Sequence, residues 1–230
     1  MIYFLPKYFQ PIIYKVIKWH YRKPRKLVKR GIKLTLLPSV FHPNFYLSTD
    51  IFLDYILSLD LKKGNALELG CGNGFISLYL AKNTDLDMYS SDINPAAIEG
   101  VSMNAALNQV DLNAIQSDLF DAIPDVDFEH IFINPPYYKA APKAINEHAF
   151  FAGSNLEYFT KLFEQLNSKR DKIGSTYFIL SENAPISKIF EIANGFDLKE
   201  EKVYELQRNQ EWFYIYNVTT DFNTIEHIET

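Results

Sequence analysis

The stretch Ala66-Leu67-Glu68-Leu69-Gly70-Cys71-Gly72-Asn73-Gly74-Phe75 decides the fold. Its first four residues read as a short buried strand, and the apolar run Phe75–Ala81 that follows reads as a helix. Between them lies a glycine loop, where missing Cβ atoms let a ligand approach the backbone closely. The third small residue of the dinucleotide fingerprint would fall at position 75, and phenylalanine stands there, which disfavours a nicotinamide-type turn. No Gly-Lys-Ser/Thr ending is present, so the loop is not a phosphate-cradling one.

Strands and helices alternate outward from this turn. Met88–Ser91 predicts a second strand ending at Asp92, and Asn94-Pro95 a capped helix that runs to about Leu107, with Ala97, Ile98, Val101 and Ala105 on one face. Ala114–Ser117 and Ile131–Ile133 read as further strands, the latter ending in Asn134-Pro135-Pro136-Tyr137. A helix at 154–168, a strand at 176–180 and a helix at 186–193 follow. Two late strands near 203–206 and 213–218 form an antiparallel pair. Upstream, Ser48, Thr49 and Asp50 open a helix over about 50–60. Such alternation predicts an α/β fold, a mostly parallel sheet with helices on both faces.

The chain has 230 residues, 47% hydrophobic and 22% charged, which suits one folded domain and excludes disorder or coiled coil as a global description. The single cysteine, Cys71, rules out an intramolecular disulfide framework and a multi-cysteine zinc site. The five histidines show no metal-ligand spacing, so no metal is expected, and the default location is cytoplasmic. The net charge of −5 hides an asymmetry: residues 1–49 hold ten Lys/Arg and no acid, and the rest balances to −15. Residues 1–45 are therefore read as a basic, aromatic-rich extension and residues 46–230 as the catalytic domain. The extension lacks the uninterrupted apolar run a membrane span needs, so membrane contact is not expected. Its helical stripe Ile12, Ile13, Val16, Ile17 is expected to pack on the domain, and its cations to contact phosphates.

Chemistry concentrates where the strands end. A carboxylate at Asp92 suits two ribose hydroxyls, and Asp118 suits the exocyclic amine of a purine. The Asn134–Tyr137 turn, with two prolines of fixed φ, presents rigid carbonyl acceptors beside an asparagine amide. Such an array matches a planar NH2 group, with Tyr137 offering a ring face for stacking.

On these residues the chain resembles the class I S-adenosylmethionine-dependent methyltransferases, in the branch marked by Asn-Pro-Pro-Tyr. That branch includes adenine-N6 DNA and RNA enzymes, guanine-N2 ribosomal RNA enzymes and release-factor glutamine enzymes. The likeness runs from about Phe45 to Val218 through Glu68–Gly74, Asp92-Ile93-Asn94, Asn104, Ser117–Phe120 and Asn134–Tyr137. It implies a Rossmann-like, seven-stranded sheet whose last strand is antiparallel, with S-adenosyl-L-methionine as cofactor. By position, Gly70, Cys71, Gly72, Asn73 and Gly74 would bracket the methionine and ribose, and Glu68 would steady the methionine end. Asp92, with Ile93 beside it, would hold the ribose; Asp118 and the Leu119 backbone would read the adenine. Asn134, Pro135, Pro136 and Tyr137 would hold the acceptor nitrogen, and Ser48 and Thr49 lie where relatives contact the cofactor.

The expected activity is N-methyl transfer to an exocyclic amine of an RNA base, adenine or guanine in rRNA or tRNA. The runner-up acceptor is a protein glutamine, although about 45 extra residues are short for the helical domain that release-factor enzymes carry. A cofactor-binding, RNA-associated module without turnover is a third reading, which the intact acceptor turn opposes.

Overall fold

The computed structural model describes residues 23–38, 40, 47–61 and 63–220. The stripe at Ile12–Ile17 therefore lies outside the described residues. The first described elements are strands β1 (Arg25–Lys29) and β2 (Ile32–Leu36), followed by helix α1 (Leu47–Ile56). Next come β3 (Gly64–Leu69), α2 (Phe75–Asn83), β4 (Leu86–Asp92), α3 (Pro95–Asn108), β5 (Asn113–Gln116) and β6 (Phe128–Ile133). The chain continues through α4 (Glu157–Ser168), β7 (Ile173–Ser181), α5 (Ile186–Asn194), β8 (Leu198–Arg208) and β9 (Glu211–Thr220).

Seven strands form one sheet in the order β5-β4-β3-β6-β7-β9-β8. All neighbours up to β7 are parallel, and β9 runs antiparallel to both β7 and β8. The last strand is thus the reversed one, as the sequence reading expected. From β3 the chain moves outward to β4 and β5, then returns to β6 on the other side. A crevice opens at such a reversal, outside the carboxyl ends of the strands.

Strand alternation assigns the two faces. Leu67, Leu69, Ile131 and Ile133 pack against Phe159, Leu162 and Phe163 of α4 and Ile189 and Phe190 of α5. Ala66, Phe132 and Ile179 turn the other way, onto Ile51, Phe52 and Ile56 of α1 and Phe75, Ile76 and Leu80 of α2. Phe52 meets Phe132 edge-on, ring centroids 6.2 Å apart. Glu68 shares the second face, which brings its carboxyl to α2.

Within the stretch expected as an extension, β1 and β2 form a hairpin that seals this second layer with Ile32, Leu34 and Leu36. Arg30 and Gly31 occupy its two-residue turn at φ 47° and 79°, the left-handed pair that matches strand twist. Among the described residues, the outer edge of β2 is bound by side chains rather than by a strand. Thr35 N–H donates to Asn104 Oδ1 (2.7 Å) and Thr35 C=O accepts from its Nδ2 (3.3 Å). Asn108 does the same for Lys33, at 2.9 and 2.7 Å. Residues four apart on a helix and two apart on a strand share nearly the same repeat, so two amides on α3 imitate a neighbouring strand.

Candidate active site

The glycine turn is stitched to the end of β4. Both Gly70 N–H and Cys71 N–H donate to the Ser91 carbonyl, each at 2.8 Å. Gly70 adopts φ +76°, and a Cβ there would meet nothing within 4 Å, so its open side is a surface a ligand can approach. Gly74, expected among the cofactor contacts, instead faces inward: at φ +70° its Cβ would sit 2.6 Å from Val101 Cγ2, and it does not line the cleft. It is small so that α2 and α3 can close together.

Helix α2 starts at a left-handed Gly74 with no side chain to cap it. Asn73 Oδ1 accepts from Phe75 N–H at 3.0 Å. Glu68 Oε2 accepts from Ser77 N–H at 2.8 Å and from the Ser77 hydroxyl. One carboxylate thus serves as a remote cap on the positive end of the helix. Burial pushes Glu68 up to about 7, although the Ser77 bonds pull the other way.

Asp92 is oriented by backbone. Its Oδ2 accepts from Gly72 N–H and its Oδ1 from Asn94 N–H, both at 2.8 Å, leaving further lone pairs for hydroxyl donors. Burial raises its pKa, opposed by these amides and by the nearby His148. Asn94 in turn caps α3 by accepting from Ala96 N–H at 3.1 Å. Asp118 follows β5 at the cleft's rim, and Leu119 beside it takes φ +54°.

The acceptor turn leaves β6 opposite the N-terminus of α1. Asn134 Nδ2 donates to Ser48 Oγ at 3.2 Å, which anchors the amide nitrogen and leaves Oδ1 to accept. The Tyr137 hydroxyl accepts from Ser181 Oγ at 3.2 Å, and its burial raises its pKa beyond the usual tyrosine range. Apart from Gly74, all the sequence-derived site residues line one cleft: Glu68 to Asn73, Asp92, Ile93, Asp118, Leu119 and Asn134 to Tyr137. Ser48 and Thr49 line it too.

The opposite wall carried no sequence signal. After Tyr137 the chain loops out and returns, with Tyr138 N–H donating to Phe150 C=O (3.0 Å) and Ala152 N–H to Tyr138 C=O (2.9 Å). This excursion brings Tyr138, Ile145, His148 and Phe150 to the cleft, and α4 adds Tyr158. Aromatic residues in such a run read equally well as core, and only the return of the loop gives them their place.

An open cleft at the reversal point, a glycine turn and carboxylates at successive strand ends define the class, an α/β protein built for a nucleoside ligand. The family model for the methyltransferase small domain matches residues 31–161, and the chain belongs to that family. The cofactor of this family is S-adenosyl-L-methionine. The residues present fit that group: an unobstructed backbone at Gly70, hydroxyl acceptors at Asp92 and an amine acceptor at Asp118.

A Methanocaldococcus jannaschii protein provisionally named a protein N5-glutamine methyltransferase is 38% identical over 107 residues, 46% of this chain and 52% of that one. Ribosomal RNA small subunit methyltransferase C of Hamiltonella defensa is 27% identical over 171 residues, 70% and 50% of the two chains. The Thermus thermophilus 16S rRNA N2 G1207 methyltransferase, solved with AdoMet and guanosine, superposes with a TM-score of 0.58 at 16% identity, over 86% of this chain and 50% of that one. The chain spans about half the length of these curated relatives.

Proposed function

We propose that the protein transfers a methyl group to the exocyclic amine of an RNA base, adenine or guanine in rRNA or tRNA. The observation that carries N-methyl transfer to a flat amine is the fixed amide of Asn134: with its nitrogen held by Ser48, its carbonyl oxygen and the Pro135 carbonyl beside the same cleft would accept the two hydrogens of one NH2 group. Asp92 would orient the ribose and Glu68 would steady the methionine end. Asp118 and Leu119 would read the adenine, and Tyr137, braced by Ser181, would offer its ring to a planar group.

S-adenosylmethionine supplies an electrophilic methyl carbon on a sulfonium. The acceptor nitrogen is the difficulty, because its lone pair is delocalised into the adjoining π system. Accepting both its hydrogens favours a pyramidal nitrogen and becomes stronger as positive charge develops there, so the contribution is specific to the transition state. Holding the nitrogen in line can contribute roughly 7–11 kcal/mol in well-oriented systems, more than a single hydrogen bond. The proton then leaves to water, and no strong base is required.

A protein glutamine amide offers the same flat NH2, and two observations favour it as the second reading. Lys29 and Arg30 of the basic stretch are already paired with Asp50 and Asp54, which withdraws them from a phosphate backbone. The Methanocaldococcus jannaschii relative is named for glutamine. The deciding experiment incubates the protein with cell extract and methyl-labelled cofactor, then digests with nuclease or protease. Label released by ribonuclease is expected; label released only by protease replaces RNA with protein as acceptor.

A further inference from the structure

Helix α4 places Tyr158, Lys161 and Gln165 on one stripe, three and four residues apart, facing the loop after β5. Lys161 Nζ donates to Asp118 Oδ2 at 2.6 Å and to Asp121 Oδ2 at 2.8 Å. Gln165 receives Phe120 N–H on its carbonyl (3.1 Å) and donates from Nε2 to Asp121 Oδ1 (2.6 Å). From within the loop, Ser117 Oγ donates to Leu119 C=O (2.7 Å) and accepts from Ala122 N–H (2.9 Å), which holds Leu119 in its left-handed conformation. Tyr158, one turn before Lys161, lines the cleft beside Asp92 and Asp118. Carboxylate, loop and wall are thus set by side chains of one helix, at a sequence separation of 40 to 45 residues where hydrogen bonds join them.

The geometry points to Lys161 as a positioning residue that determines which nucleoside the cleft accepts. A rim carboxylate such as Asp118, whose side chain is 49% exposed, would otherwise sample several rotamers. With Oδ2 engaged by Lys161, Oδ1 is the oxygen left to accept from a ligand. A carboxylate oxygen accepts from a purine 6-amine and repels a 6-carbonyl, so the held Asp118 selects an aminopurine over an oxopurine. Gln165 supports the same arrangement through Asp121 and Phe120. The inference rests on the reading that the adenine end of the cofactor lies at Asp118.

The test measures binding by calorimetry, with S-adenosylhomocysteine and its 6-oxo counterpart S-inosylhomocysteine as probes. The unaltered chain is expected to prefer the amine by about tenfold or more, the scale of one well-formed hydrogen bond to a charged group. Lys161→Met should bring the two affinities within about threefold, chiefly by weakening the amine, and Lys161→Arg should keep most of the preference. Asp118→Ala should lose the preference as well, and adding Lys161→Met to it should change nothing further. If Lys161→Met weakens both probes equally, Lys161 only stiffens the loop and the inference fails while the cofactor site stands. If the unaltered chain binds neither probe, the cofactor reading itself falls.

Discussion

At the scale of single residues, two side chains separate chemistry from structure. In the proposed reaction Asn134 would touch the acceptor, and Ser48 would only hold Asn134. Asn134→Ala should lower kcat by about 10²- to 10³-fold, the scale of removing one partner aimed at the transition state, and leave S-adenosylhomocysteine affinity nearly unchanged. Ser48→Ala should cost about fivefold in kcat, equivalent to one hydrogen bond of about 1 kcal/mol. Single-turnover rates and calorimetry check both, and an unchanged rate in Asn134→Ala removes it from the reaction. Glu68 governs stability instead. Its pKa rises from 4.5 to about 7 in the folded chain, so folded protein keeps a proton that unfolded protein releases. Its contribution is fully present below about pH 4.5, falls as the pH rises, and is gone above about pH 7, a change of up to about 3 kcal/mol. Asp92, also raised by burial, acts with the same sign. Glu68→Gln keeps an acceptor for Ser77 and should flatten the fall in melting temperature between pH 5 and 7.5; an equal slope in both proteins refutes the assignment.

At the scale of elements, the asparagines of α3 show what pattern reading misses. Asn104 and Asn108 sit on the buried side of a helix, 0% and 8% exposed, where apolar residues are the expectation. Their reason is the edge of β2 turned away from β1, whose backbone groups need partners and find no strand there among the described residues. Asn104→Ala should destabilise the fold by about 2–4 kcal/mol, because it strands one N–H and one C=O. Hydrogen exchange would locate the loss: the Thr35 amide should lose protection before the central strands do, and an unchanged Thr35 amide would reject the bracing role. The hairpin itself was illegible because β1 carries Arg25, Lys26 and Lys29, which read as an arm rather than a strand. For a similar reason β8 was legible only at 203–206: the flanking Glu200, Glu201 and Lys202 and the Gln207-Arg208 end belong to a polar sheet edge, which burial does not pattern. The strands beside the site were legible because both their faces are buried and their ends carry glycine, proline and aspartate.

At the scale of the whole molecule, the site residues are gathered from β3, β4, β6, the loop after β5 and the start of α1 by the reversal of strand order between β3 and β6. That gathering was readable in advance, since the position of each motif at a strand's carboxyl end follows from alternation. The wall that Tyr138, His148, Phe150 and Tyr158 contribute, and the hold of Lys161 on Asp118, were not, because those contacts join residues that no periodicity relates. Charge acts at this scale too. Of the cations on the hairpin, Lys26 and Lys33 are exposed, while Lys29 and Arg30 are paired with α1. If RNA is the acceptor, Lys26→Glu with Lys33→Glu should weaken its binding and make the slope of log affinity against log salt shallower by about 2. Binding indifferent to both salt and these charges would favour the protein acceptor.

The shared carbonyl of Ser91, which takes the amides of Gly70 and Cys71 together, has a thermodynamic corollary. A mould cast before its guest arrives has little disorder left to surrender, so the glycine turn should contribute almost nothing to the entropic penalty of docking. Whatever conformational freezing accompanies capture would then fall on the excursion between Tyr137 and Leu156, on the other side of the guest.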